Sequence, residues 1–135
     1  MTPEKFIIAK ASEAIQALYG VEVPEAQLQV QVTRKEFEGD YTLVVFPLLK
    51  MSKTTPENTG NAIGEWLKAN VAEVAAYNTV KGFLNISFSE VYWNNVFAEI
   101  AAAEDFGQLE PTGRTIMVEY SSPNTNKPLH LGHIR

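Results

Sequence analysis

The chain has 135 residues, 45% of them hydrophobic and 20% charged, with a formal net charge of −5. This length and composition predict a soluble domain with one modest core. The acidic balance argues against tight nonspecific RNA binding, because Lys and Arg contacts to phosphate supply most of that affinity. Glu4 and Lys5 interrupt the apolar amino end, so no signal peptide or membrane span is visible, and the absence of cysteine is compatible with a cytoplasmic protein.

The first part of the chain combines one helix signal with two strand signals. Thr2 followed by Pro3 is typical of a helix cap and first helical position, and the helical pattern ends at Gly20. Residues 27–32 alternate polar and apolar side chains, which predicts a strand with one solvated face, and residues 38–40 turn the chain into a second predicted strand at 41–46.

The next part repeats this arrangement and adds a helix. A Thr-Pro pair at 55–56 predicts the start of the second helix, and residues 74–80 and 83–88 predict a hairpin. Ser89 is the expected cap of a third helix that closes at residues 106–107. The order is therefore αββαββα, an α+β domain whose antiparallel sheet is covered by helices.

The carboxyl-terminal residues carry the pattern with the most chemical content. Residues 116–120 alternate as a strand does, and Pro123 and Pro128 prevent its smooth continuation, so we expect a loop. The tetrad at 130–133, His-Leu-Gly-His, stands where a helix should begin. Unpaired N–H groups and the helix dipole favour phosphate there, and two histidines spaced by three share one face. The helix start and the two histidines together predict that this segment binds the phosphates of ATP.

Other interpretations of the two histidines stay open at this point. A metal pair is disfavoured because the chain has no cysteine and no third histidine, and residues 120–135 contain no Asp or Glu. Ordinary helix-surface residues are the second alternative, because a bare His-x-Gly-His is a weak motif. The flanking residues decide between them.

Those flanks resemble a known family. The string Val-Glu-Tyr-Ser-Ser-Pro-Asn at 118–124, then Lys127-Pro128, then residues 130–135, resembles the first active-site segment of arginyl-tRNA synthetases, class I enzymes with a Rossmann-type catalytic domain. The tetrad alone also occurs in pantothenate synthetases and cytidylyltransferases, but the flank is more specific. The resemblance implies an N-terminal tRNA D-loop-recognition domain at 1–107, a linker at 108–113, and the truncated start of the catalytic domain at 114–135.

The resemblance also implies roles for individual residues. It assigns ATP binding and catalysis to His130, Gly132, His133 and Lys127, and the arginine pocket to Ser121 and Asn124. The parent enzyme would activate arginine with ATP, with Mg²⁺ expected, and then transfer it to tRNA(Arg). Neither a protein-bound metal site nor a DNA or membrane partner is expected. Because 135 residues cannot contain a complete class I site, we expect this piece alone to be inactive.

A second candidate site lies in the predicted strand 83–88, which follows a turn at Lys81-Gly82. Its apolar face leaves Phe83 and Asn85 on the opposite side, so we expect an exposed ring beside an exposed amide. A ring for stacking and an amide for a base edge are what binding an unstacked base requires. The alternative is that Phe83 packs under a loop and Asn85 serves the turn. The matching positions of the family contact a D-loop nucleotide, which favours tRNA binding.

Residues 50–53, Lys-Met-Ser-Lys, resemble the second ATP loop of class I synthetases but precede the histidine tetrad instead of following it. We interpret them as a solvated turn before Thr55, whose lysines join Arg34 and Lys35 in a small basic patch. Two alternatives to the enzyme remain. One is a self-standing RNA- or protein-binding module, and the other is a small-molecule nucleotidyltransferase, which is disfavoured because a whole domain precedes the tetrad.

Overall fold

The computed structural model describes residues 2–118, 126–128 and 130–133, with only the backbone of residue 133. The chain forms two compact units, Met1–Glu104 and Asp105–Arg135. The first unit contains helices α1 Pro3–Tyr19, α2 Leu49–Ser52, α3 Pro56–Asn70 and α4 Glu90–Ala102, and strands β1 Val30–Val32, β2 Tyr41–Val44, β3 Val74–Val80 and β4 Phe83–Phe88. None of the helices in the described ranges has the length and apolar character needed to cross a bilayer.

The two long helices begin at the predicted caps. The Thr2 hydroxyl accepts a hydrogen bond from the Lys5 N–H at 3.4 Å, and Thr55 accepts one from Asn58 at 3.2 Å. In each case a proline occupies the first turn, where its missing N–H removes no helical hydrogen bond. Both predicted helix starts are confirmed.

The four strands form one antiparallel sheet in the order β1-β2-β4-β3. The hairpin β3–β4 has the predicted bounds. Its turn places Lys81 at φ 48° and Gly82 at φ 81°. Two successive left-handed residues are the signature of a two-residue turn whose twist matches that of the strands, so the predicted turn is confirmed.

The core lies between one face of the sheet and the helices. Leu43, Leu84 and Ile86 are fully buried on that face. Helix α3 packs on β3, and α1 packs on α3. Each fully buried Leu or Ile contributes roughly 1.5–3 kcal/mol to folding. With one sheet face packed against the helices, the opposite face is the side from which a ligand would reach the sheet.

Two predicted strands are shorter than expected because each meets a 3-10 turn. Strand β1 begins at Val30 instead of residue 27, since Glu25–Gln27 form a turn after Pro24. Strand β2 ends at Val44 instead of residue 46, since Phe46–Leu48 form a turn that includes Pro47. A single helical turn, α2, follows it, where a solvated turn had been predicted for residues 50–53.

Helix α4 also differs in its details. It ends at Ala102, not at residues 106–107. Ser89 occupies the predicted cap position, but its hydroxyl donates to the Ala72 carbonyl oxygen at 2.9 Å and makes no capping bond. That bond ties the start of α4 to the residues just before β3.

The second unit is described only in part. Ile116, Met117 and Val118 are exposed and form no strand, so the predicted strand is wrong over these residues, and its last two positions lie outside the described residues. A strand requires hydrogen bonds to a neighbour, and the four described sheet strands all belong to the first unit. Leu131–His133 form one turn of 3-10 helix.

Candidate nucleic-acid interface

A row of polar side chains crosses the open face of the sheet. The strand register pairs Gln31 with Thr42, Thr42 with Asn85, and Asn85 with Asn78. Because side chains alternate between faces along each strand, these residues lie on the side opposite Leu43 and Leu84. The row therefore places hydroxyl and amide groups side by side across all four strands.

An apolar row lies next to the polar one. Phe83 is paired with Val44 on one side and Val80 on the other. The Phe46 ring packs edge-on against Phe83, with centroids 5.8 Å apart and ring planes at 80°. Phe83 is half-buried and not fully exposed as predicted, because the Phe46 ring packs against one side of it.

The two rows border a cavity of about 240 Å³. Its lining residues are Gln31, Arg34, Phe37, Thr42, Val80, Lys81, Phe83 and Asn85. Arg34 and Lys81 are exposed and supply positive charge at its edge, although the chain as a whole is acidic. The cavity thus combines a ring, an amide and two cations, which suits a planar polar group attached to phosphate.

Asn85 is not exposed as predicted. It is 1% exposed, because residues 33–40 cover this part of the sheet. The Thr42 hydroxyl donates to Asn85 Oδ1 at 2.6 Å, and Asn85 Nδ2 donates to Asn78 Oδ1 at 2.9 Å. Asn78 Nδ2 in turn donates to the Glu38 carbonyl oxygen at 2.7 Å. The Asn85 amide therefore borders the cavity and, through Asn78, also helps to hold the covering loop.

The covering loop is fixed to the sheet through Asp40. Its carboxylate accepts a hydrogen bond from the Phe88 N–H at 2.8 Å, and its own N–H donates to the Ile86 carbonyl oxygen at 2.8 Å. At the other end of the loop, the Thr33 N–H donates to the Asp40 carbonyl oxygen at 3.0 Å. These bonds hold Phe37, which the loop carries, at the edge of the cavity.

Several of the lining residues were not predicted from the sequence, among them Thr42, Phe37 and Lys81. Asn78, which lies beside them, was not singled out either. Thr42 could have been found from the sequence, because it is the one small polar residue in an otherwise apolar predicted strand. Its pairing with Asn85 joins residues 43 positions apart, which alternation within one strand does not reveal. Lys50 and Lys53 of the predicted basic patch do not line the cavity, whereas Arg34 does.

The predicted ATP segment is described only in part. His130 is exposed, and its Nδ1 accepts a hydrogen bond from the Gly132 N–H at 3.2 Å, which places a neutral ring's proton on Nε2. Lys127 is exposed. Ser121, Asn124 and the side chain of His133 lie outside the described residues. Within the described ranges, no group of three or more acidic or histidine side chains is arranged to hold a metal ion.

Comparison with known proteins gives a consistent result. No protein-family model matches the chain. It is 52% identical over 137 aligned residues to the arginine-tRNA ligase of Bacteroides thetaiotaomicron, which covers all of this chain and 23% of that protein. It is 52% identical over 127 residues to the ligase of Porphyromonas gingivalis, covering 93% of this chain and 21% of that protein.

A solved structure, Thermus thermophilus arginyl-tRNA synthetase, matches with a TM-score of 0.58 and 24% identity, over 98% of this chain and 21% of that one. At that identity it supports the fold alone. The chain is a homologue of the aminoacyl-tRNA synthetases. Within them, it is homologous to the N-terminal part of the arginine-tRNA ligases, and it spans about 23% of the length of the relatives it matches.

Proposed function

We propose that the chain is the N-terminal part of an arginine-tRNA ligase, which joins arginine to tRNA(Arg) in the cytoplasm at the expense of ATP, with Mg²⁺. The identity of 52% over the whole chain to a protein of that name supports this assignment. His130, Gly132, His133 and Lys127 would bind ATP, and Ser121 and Asn124 would line the arginine pocket. In this proposal residues 114–135 begin the catalytic domain and residues 108–113 link it to the first domain.

The first domain, residues 1–107, would bind the D-loop of tRNA. One observation carries this part of the proposal: Phe83 and Asn85 border the same cavity on the open face of the sheet, with Arg34 and Lys81 at its edge. An unstacked base would lie against the Phe83 ring with its edge toward the amide row. The two cations would contact the neighbouring phosphates, so binding should weaken as salt concentration rises.

The direct test is Phe83→Ala in the full chain. Base stacking on an aromatic side chain is worth about 1–3 kcal/mol, so we expect the affinity for an arginine tRNA transcript to fall by at least about fivefold. Fluorescence anisotropy of a labelled transcript measures the affinity, and nuclease footprinting should locate the loss of protection in the D-loop.

Phe97→Ala is the matched control. Phe97 on α4 is 71% exposed, more than Phe83, and is not among the residues that line the cavity. It should retain wild-type affinity, and both variants should melt within a few degrees of the wild type. Equal affinity of wild type and Phe83→Ala, or a footprint that omits the D-loop, would contradict D-loop binding at this cavity.

A further inference from the structure

We infer that Asn78 is a positioning residue, which locks the side-chain amide of Asn85 in one orientation and thereby determines which base edge the cavity accepts. The inference rests on the proposed function, because it concerns how the same cavity would distinguish one unstacked base from another. It is carried by a chain of hydrogen bonds that runs across β3, β4 and β2, from Glu38 in the covering loop to Thr33 just after β1.

The direction of every bond in that chain follows from its first member. The Glu38 carbonyl oxygen has no hydrogen to donate, so the side-chain group of Asn78 that lies 2.7 Å from it must be the NH₂. The carbonyl oxygen of Asn78 therefore faces Asn85 and accepts from its Nδ2 at 2.9 Å. Asn85 Oδ1 is then left to face Thr42, which donates to it at 2.6 Å.

The hydroxyls of Thr42 and Thr33, at the other end of the chain, do not determine the direction of these hydrogen bonds. Thr42 has one hydrogen and gives it to Asn85, so the Thr33 hydroxyl 2.9 Å away must donate to Thr42. Each hydroxyl is able to reverse its role, because it carries both a hydrogen and lone pairs. With Asn78 removed, Thr42 would accept from a reversed Asn85 amide as readily as it now donates.

The locked orientation has a consequence for base reading. After its two bonds in the row, the Asn85 amide retains one N–H and one oxygen lone pair. The donor lies toward β3 and the acceptor toward β2. Phe83, two positions earlier on the same face, would fix the plane of a stacked ring. Uracil and cytosine have the same ring shape but opposite donor and acceptor order at positions 3 and 4. For a base that lies with a given face on the Phe83 ring and positions 3 and 4 toward the row, a fixed amide therefore presents the matching order to only one of them.

The experiment compares two arginine tRNA transcripts of the Bacteroides thetaiotaomicron sequence, which carry uracil or cytosine at the D-loop position protected through Phe83. The wild-type chain should prefer one of them by at least about fivefold, as a paired donor and acceptor typically provide. Asn78→Ala should reduce this preference to less than about twofold. Asn78→Asp loses the bond to the Glu38 carbonyl oxygen and so loosens the covering loop, but its carboxylate, which only accepts, still faces the Asn85 N–H and should retain the preference.

Thr33→Val is the control at the opposite end of the row. It removes a hydroxyl of the same network that does not line the cavity, and it should leave the preference at the wild-type value. The side-chain NH₂ signals of Asn85 in the NMR spectrum of the RNA-free chain provide an independent readout. They should exchange slowly with water in the wild type and in Asn78→Asp, and rapidly in Asn78→Ala. If Asn78→Ala does not fold, the inference is tested by the base preference of Asn78→Asp and by the exchange of the Asn85 NH₂ signals in the wild type and in that variant.

Three results would overturn the inference. The wild type could bind both transcripts equally through Phe83, Asn78→Ala could keep the full preference, or Asn78→Asp could lose it while remaining folded. A purely structural role of Asn78 would lower the melting temperature and leave the ratio of the two affinities unchanged. If no binding depended on Phe83, the proposed function would be contradicted, and with it the proposal that the cavity distinguishes bases. The NMR signals of the Asn85 amide would still report whether Asn78 fixes its orientation.

Discussion

Tyr92 illustrates how one residue combines favourable packing with an unfavourable polar group. Its ring stacks on Phe88 with centroids 3.9 Å apart and ring planes at 11°. Its hydroxyl is buried and has no hydrogen-bond partner among the described residues. Burial raises the pKa of Tyr92, with smaller contributions from Tyr41 and from the carboxylates of Glu4 and Glu99. The folded state therefore favours the neutral form of this side chain.

Replacing Tyr92 by Phe keeps the stacked ring and removes the unsatisfied hydroxyl. We expect the free energy of unfolding at neutral pH to rise by about 1 kcal/mol. Because the folded pKa is raised, the contribution of Tyr92 to stability is complete below the unfolded pKa, about 10, and is lost as pH rises through the folded value. The variant should therefore lose less stability than the wild type above pH ~10. Urea unfolding at neutral and alkaline pH measures both effects.

Tyr77→Phe is the contrasting variant, because the Tyr77 hydroxyl does have a partner and donates to Glu65 at 2.9 Å. It should slightly lower the stability at neutral pH, by less than about 1 kcal/mol at this exposed position. A Tyr92→Phe protein that is clearly less stable than the wild type at neutral pH would show that the hydroxyl is satisfied.

Asn85 shows what a residue's sequence position predicts and what it does not. Alternation along strand 83–88 correctly predicted that Leu84 and Ile86 face the core and that Asn85 does not. It did not predict that Asn85 is buried. The bond that fixes the covering loop, from Asn78 to the Glu38 carbonyl oxygen, joins residues 40 positions apart. Exposure depends on such distant contacts, whereas the face of a strand depends only on its own period of two.

At the scale of elements, two glycines of α3 lie very close to the side chains of β3. An added Cβ at Gly64 would lie 2.3 Å from a ring carbon of Tyr77, and one at Gly60 would lie 2.5 Å from the Thr79 methyl group. The two glycines are one helical turn apart on the buried face of α3. They allow the helix backbone to rest directly on the side chains of the strand.

Gly64→Ala should therefore be destabilising, although alanine is the better helix former by about 1 kcal/mol. The new methyl group would displace the Tyr77 ring, whose hydroxyl is held by Glu65, and overpacking of this kind typically costs about 1–3 kcal/mol. We expect a net loss of about 1–2 kcal/mol, measured by urea unfolding. Asn61→Ala, at an exposed position of the same helix, should be neutral or slightly stabilising. Equal stability of the two variants would contradict this packing.

Element boundaries could be predicted where a local signal sets them. The two Thr-Pro starts and the Lys81-Gly82 turn depend on residues adjacent in the chain, and all three are confirmed. The strand ends predicted near residues 27 and 46 were wrong, because the alternation near residue 27 and the apolar run near residue 46 both extend into segments that form 3-10 turns. A local pattern of apolar residues alone does not distinguish the end of a strand from a short turn that follows it.

At the scale of the molecule, the order β1-β2-β4-β3 was not predicted, because β2 and β4 are separated by two helices and β3. That pairing builds the candidate interface, since it brings Thr42 beside Asn85 and Val44 beside Phe83. The chemistry of the carboxyl-terminal motif was predicted from adjacent residues. Its predicted setting, a strand at 116–120, was wrong over Ile116, Met117 and Val118, which are exposed and form no strand.

The same observation determines the activity expected of these 135 residues. Histidines that stabilise charge during attack on ATP must be held rigidly around the reacting atoms, and a sheet beneath them usually provides that support. Here His130 is exposed, and the described residues of the second unit, 105–118, 126–128 and 130–133, form no strand. We therefore expect no arginine-dependent ATP–pyrophosphate exchange by this chain, even with tRNA present, while binding of the transcript through Phe83 persists. The Bacteroides thetaiotaomicron ligase, assayed in parallel, should exchange. Exchange above background by the 135 residues would contradict the prediction.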